Sequence, residues 1–426
     1  MATETDTGLL EFDTDFGFTD DRIRYGWYAL LAVLLLVGAY AVYLRITQGM
    51  ASTNLTSTTP WGAWVAFYIY FVGLSAGAFL VSTLSNVFGM AGMERVDRDA
   101  LFAAAISMAV ALLFVWIDLG RMDRMYYPFI WRQITSPLMW EVHAYVAYIA
   151  VLVTELYLAM RVDLARLATR VSGWRSTLYR VLTLGRTDTS ERARQRDETW
   201  LKRVGILGIP LAIFLVHGGT GVLFAVAKAR PYWNSGLFPI IFVVSAIVSG
   251  AALVMVLYVI RSRVLGGDLD RSLLDRLAKL TAAFVLVDLA FFLIDMLIAL
   301  NSLHPHDVET WLLILTGEMS WSFWLVMAGL GWAVPLTLVA KRSWRRTPSL
   351  MALAALSVVI GIVGVRFNIV VPPLIVPVME GLPAGEYFPT LVEWTSSLGI
   401  VAVGLALYTL GVELLPLEPL GDTNEH

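Results

Sequence analysis

Ten separate runs of roughly twenty apolar residues punctuate the chain, and no other feature restricts its possible folds so sharply. They fall at about 25–44, 61–88, 99–119, 137–160, 203–227, 235–260, 275–300, 312–340, 348–370 and 388–414. A run of this length crosses a bilayer as a helix, because in hydrocarbon a helix satisfies its own backbone donors and acceptors. None shows the long alternation of a membrane β-strand, so a barrel is excluded. Composition agrees. Of 426 residues, 58% are hydrophobic and 15% charged, against roughly 25% charged in a soluble domain. The chain reads as an all-α integral membrane protein.

An even number of spans puts both termini on one side, and the basic residues decide which. Twenty-four Lys and Arg fall on the side of the termini and six on the other, with Arg366 inside the ninth span. That asymmetry predicts cytoplasmic termini in a multi-pass protein of the cell membrane. Residues 1–24 are polar and acidic with no basic segment before an apolar one, so a cleaved signal peptide is not expected. A net charge of −3 gives no footprint for nucleic acid. Cysteine is absent, which removes disulfides, thiolate metal sites and cysteine-held iron–sulfur clusters from this chain. In the long inner loop 161–202, Leu164, Leu167, Ala168, Val171, Trp174, Leu178, Val181 and Leu182 recur at helical spacing among arginines. This pattern predicts a cationic amphipathic helix lying on the inner leaflet, in contact with lipid.

The spans repeat. Ala76–Val81 in the second (AGAFLV) matches Ser249–Val254 in the sixth (SGAALV). Asp118 near the end of the third matches Asp295 in the seventh, and Glu141 in the fourth matches Glu318 in the eighth, both at an offset of 177. Two acids recurring in register predict two related four-helix bundles, spans 2–5 and 6–9, with spans 1 and 10 flanking. The chain then divides into a polar tail (1–24), a first span with its outer loop (25–60), a first bundle (61–234), a second bundle (235–387) and a last span with its tail (388–426).

Ionisable groups inside spans are costly and mark function. Asp118, Glu141, His143, Asp295, Glu318, Arg366 and Glu393 fall in the outer half, while Glu155 is the main exception in an apolar inner half. On the outer face of the first bundle, the segments Asp118–Arg124, Ser136–His143 and Ala229–Ser235 bring carboxylates, an imidazole, guanidiniums and aromatic rings to one interface. That inventory suits an amphipathic ring that binds and exchanges protons. Asp288 and Asp295, seven apart on one helix, read as either a proton route or a buried pair. A bis-histidine haem has only His143 and His217 to use, at different depths, so no haem or metal is expected.

At these residues the chain resembles the NrfD/polysulphide reductase membrane-subunit family, in its longer ten-helix form. The resemblance rests on Trp61-Gly62 with Gly73–Phe79, on Asp118-Leu119-Gly120-Arg121 with Arg124, and on the ARPYWNSGLFP stretch, Ala229–Pro239. Met122 stands where many members have proline, and Glu141 where many have aspartate. The resemblance implies a quinone-reactive subunit, with menaquinone or ubiquinone as exchangeable substrate. It also implies an extracytoplasmic ferredoxin-like iron–sulfur partner and a molybdopterin catalytic subunit. In that reading Glu141 and His143 exchange protons with the ring and Asp118 connects them outward. Arg121, Arg124, His217, Arg230, Tyr232, Trp233 and Asn234 surround the ring or dock the partner. Asp288, Asp295 and Glu318 would form a proton path. The rival classes are a proton-translocating or transporter-type module and a haem b-type membrane anchor.

Overall fold

The computed structural model describes residues 18–266, 269–302, 304–379 and 381–420. Residues 1–17 of the expected N-terminal tail and 421–426 of the C-terminal tail lie outside the described residues. Among the described residues there is no strand, and ten helices are long and apolar enough to cross a membrane. They are α1 (Asp21–Ser52), α2 (Ala63–Asn86), α3 (Asp97–Asp118), α4 (Pro137–Arg170), α5 (Glu191–Ala225), α6 (Phe238–Val264), α7 (Arg271–Asn301), α8 (Ser322–Ala340), α9 (Pro348–Ile375) and α10 (Leu391–Leu414).

Their starts follow from local chemistry. The Asp20 side chain accepts from the Arg22 N–H at 2.8 Å, and Pro137 and Pro348 open α4 and α9, where a missing N–H costs nothing. Thr390 and Glu393 form a reciprocal capping box on α10. In α5 the backbone widens into a π-type stretch, Leu211–His217, directly after Pro210. Such stretches redirect the side chains that follow.

α2 and α6 form the centre: 83% and 72% of their apolar windows are buried, against 17% for α7, which faces lipid. The central pair touches through backbone. A Cβ on Gly77 would collide with the Ala246 carbonyl, and one on Gly250 with the Gly77 backbone. These two glycines are the ones that the AGAFLV and SGAALV stretches align. The other helix contacts also pair off: α2 packs on α3 as α6 does on α7, α4 on α5 as α8 on α9, and α2 on α9 as α6 on α5. α1 lies on α10, which also contacts α3.

Two expectations are corrected. The stretch 161–202 is not a surface loop with one amphipathic helix. α4 runs on to Arg170, the chain turns at Gly173 (φ +74°), and a separate short helix spans Trp174–Leu182. The apolar stripe is therefore split. Leu164, Leu167 and Ala168 pack inward with Tyr179, Val412 and Leu417, leaving Trp174 and Val181 exposed. The eighth span is also shorter than 312–340. A helix Pro305–Leu315 ends before a turn at Thr316–Met319, and the spanning segment proper is Ser322–Ala340.

Candidate functional site

The site is built on one face of α4. Glu141, Tyr145, Tyr148, Leu152 and Glu155 recur at spacings of four and three and are all buried, which is how one helical face enters a protein core. At its outer end Glu141 is 2% exposed. Its Oε1 accepts from Tyr145 at 2.5 Å, from Tyr68 of α2 at 2.7 Å and from Thr220 of α5 at 2.5 Å. The Tyr68 and Tyr145 hydroxyls also lie 2.6 Å apart. Oε2 is buried without a hydrogen-bond partner among the described residues. One oxygen is thus fixed by hydroxyls while the other keeps unused acceptor capacity. Sequence reasoning missed all three hydroxyl residues. Tyr145 shares a helical face with Glu141, which was a usable signal; nothing local ties Tyr68 or Thr220 to it.

An aromatic wall stands one turn outward along α5. Phe224 meets Trp233 at 5.2 Å and Trp61 at 5.7 Å between ring centroids, and Trp61 stacks on Trp233 at 5.5 Å. Trp233 donates to the Ile369 carbonyl at 2.7 Å, and Asn234 to the Ala225 carbonyl at 2.6 Å. Arg230 donates to the carbonyls of Pro373 (2.9 Å) and Val376 (3.1 Å). Tyr232 is buried against Phe238 and Trp311. This segment therefore straps the α5–α6 connection to the end of α9, with the Arg230 guanidinium committed to carbonyls. Burial raises the Tyr232 phenol well above its ordinary range.

The structure does not bring His143 to Glu141. Two residues apart on a helix, they point to different sides. His143 Nδ1 donates to the Met139 carbonyl at 2.8 Å, and its ring lies 5.7 Å from Phe129. Asp118 ends α3 with a buried Oδ1 that has no hydrogen-bond partner among the described residues, and its nearby cation is Arg45 of α1. Arg45 is 2% exposed and donates to the carbonyls of Ile117 (3.1 Å) and Leu119 (2.8 Å). In the sequence Arg45 reads only as an outer-side charge, and its place beside Asp118 has no local signal. Arg121 instead pairs with Asp123 at 3.0 Å, which holds that exposed carboxyl below its usual range. Arg124 lies over Tyr127.

A second polar cluster draws on α5, α6, α7 and α9. Arg366 of α9, with no exposed surface, donates to Ser245 of α6 and lies 3.4 Å from His217 Nε2. Asp288 of α7 is close enough to act on Arg366 electrostatically. His217 Nδ1, Asp288 Oδ1 and Arg366 Nε are buried without hydrogen-bond partners among the described residues. Asp295, further out on α7, accepts from Ser235 at 3.1 Å. Glu318 does not join them: it is exposed, in the turn that precedes α8. Glu393 accepts from Tyr387 at 2.5 Å and from the Thr390 N–H at 2.9 Å, the latter a bond of the helix cap.

The chain matches the family "Polysulphide reductase, NrfD" over residues 51–377. It is 40% identical to a selenate reductase subunit of Mesobacillus selenatarsenatis, covering 92% of this chain and 94% of that one. It is 31% identical to a putative dimethyl sulfoxide reductase membrane subunit of Halobacterium salinarum, over 98% and 96%. A third relative, the Hdr-like menaquinol oxidoreductase integral membrane subunit of Archaeoglobus fulgidus, is 26% identical over 94% and 95%. With its ten apolar helices and these full-length likenesses to reductase subunits, the chain belongs to the NrfD/polysulphide reductase family of multi-pass membrane proteins.

Proposed function

We propose that this chain is the quinone-reactive membrane subunit of a respiratory oxidoreductase complex, with Glu141 as the group that exchanges protons with the quinone ring. The observation that carries this reading is the Glu141 carboxylate, buried, held on one oxygen by three hydroxyls and without a hydrogen-bond partner on the other among the described residues. Interconverting quinone and quinol moves two electrons with two protons. The Tyr68, Tyr145 and Thr220 hydroxyls hold the carboxylate in place, so that its free oxygen can take or give a proton without reorganising. Trp61, Phe224 and Trp233 supply an apolar wall of the kind a ring needs. Asp118, at the outer end of α3, and His143, whose ring turns back to the Met139 carbonyl, serve proton exchange with the outer face. The chain has no cysteine for an iron–sulfur cluster, so electrons pass through a partner. We assign that role to an extracytoplasmic ferredoxin-like subunit, joined to a molybdopterin catalytic subunit. Menaquinone is the favoured substrate, because a relative is named for menaquinol.

Glu141→Gln in the intact complex should lower quinone-coupled turnover at least about a hundredfold, consistent with general acid–base contributions. Assembly and binding of a quinone-site inhibitor should persist. Turnover near the wild-type rate would sink the assignment. A proton path through the second bundle is the companion proposal, supported by buried Asp288 near Arg366, whose guanidinium lies 3.4 Å from His217. Asp288→Asn should abolish proton translocation in vesicles while quinone turnover continues.

A further inference from the structure

At the end of the molecule where α1 begins and α10 ends, a cavity of about 600 Å3 is lined by Arg271, Ser272, Asp275 and Lys279 of α7 and by Arg342, Arg345 and Arg346 of the α8–α9 connection. Five cations face one carboxylate. Asp275 is already neutralised, by Lys279 at 2.5 Å and Arg345 at 2.8 Å, and Arg345 also donates to the Val339 carbonyl at 2.6 Å. Arg271, Arg342 and Arg346 have no carboxylate partner among the described residues. Like-charged guanidiniums gathered around one concavity repel one another unless an anion lies between them. The cavity is larger than a single phosphate needs. Along α7, beyond Lys279, the surface turns apolar and lipid-facing, with Leu286 and Val287 exposed.

We propose that this cavity is a binding site for an anionic phospholipid with a two-phosphate headgroup. Arg271, Arg342 and Arg346 would take the phosphates and the exposed face of α7 the acyl chains. A guanidinium binds phosphate through paired N–H donors, and basic pockets between helices at the cytoplasmic face suit such headgroups. The apolar strip singles out a lipid over a free anion, because only a lipid uses both surfaces at once. None of these residues belongs to the proposed quinone site, so this site stands or falls independently of it.

The test is native mass spectrometry of the detergent-extracted protein titrated with cardiolipin, with an arginine pair removed (R342Q/R346Q) and with R263Q as control. Arg263 is exposed at the same end, outside the cavity. The wild type and R263Q should retain one cardiolipin per chain, and R342Q/R346Q should bind at least tenfold more weakly. Phosphatidylcholine with the same chains should not be retained. An unchanged melting temperature of lipid-free R342Q/R346Q shows that it is folded. Equal retention by R342Q/R346Q overturns the proposal, as does equal loss in R263Q, which would make the effect one of general surface charge. Displacement of cardiolipin by inorganic phosphate at matched concentration also overturns it, in favour of a free-anion site.

Discussion

Buried ionisable residues in this chain divide by what satisfies them. Glu393 is closed by its cap bonds and Arg45 by carbonyls, while Glu141 keeps one oxygen without a hydrogen bond among the described residues. Glu155 is the extreme case: it has no exposed surface, and both carboxylate oxygens lack partners among the described residues. An unsatisfied buried polar group costs about 1–3 kcal/mol. Glu155→Met, similar in volume, should therefore raise the melting temperature of the purified protein, and a fall would show that a partner had been lost. His306 gives a pH prediction. Burial lowers its pKa, though its Nε2 donates to the Pro373 carbonyl at 3.2 Å. With the folded value depressed, the unfolded chain binds the proton more readily, so stability falls as pH drops below the unfolded value of about 6.5. Thermal melts of wild type and His306→Gln between about pH 7 and pH 5 should converge as the wild type loses its advantage; parallel curves would contradict this.

Helices carry the next set of consequences. The α2–α6 crossing leaves no room for a side chain at Gly77 or Gly250, and small residues at such crossings let backbones pack closely. Gly250→Leu should abolish folded protein, read as loss of the monodisperse peak in detergent, while Gly26→Leu, in open surroundings on α1, should leave it intact. The two corrected boundaries have local causes as well. Apolar length alone carries the eighth span through the Thr316–Met319 turn. Hydrophobic periodicity carries one amphipathic helix across Gly173, because a stripe says that a face is buried and not what buries it. Here the second helix and the C-terminal segment bury the Leu164, Leu167 and Ala168 part of it, while Trp174 and Val181 stay exposed.

Taken as a whole, the molecule pairs its helix contacts across the two halves but does not duplicate its chemistry. Asp118 buries a carboxylate oxygen at the end of its helix and its counterpart Asp295 is buried too. Glu141, by contrast, is buried among hydroxyls, whereas its sequence counterpart Glu318 is exposed in a turn. Orientation belongs to this scale too. A chain without cysteine accepts single reporter thiols. R263C should react with a membrane-impermeant maleimide only in inverted vesicles and W131C only in intact cells, and the opposite pattern would reverse the inferred topology.

The sequence by itself determined the helical membrane architecture, the span count and the family, and marked Glu141 as one of several ionisable groups inside spans, because bilayer thickness and the cost of buried charge act on local runs of residues. Only the tertiary structure decided which polar groups share a site. Tyr68, Tyr145 and Thr220 converge on Glu141 from three helices, Arg45 reaches Asp118 from α1, and His143 and Glu318 turn away. Those outcomes depend on helix rotation and crossing, which are set by contacts between residues far apart in the chain.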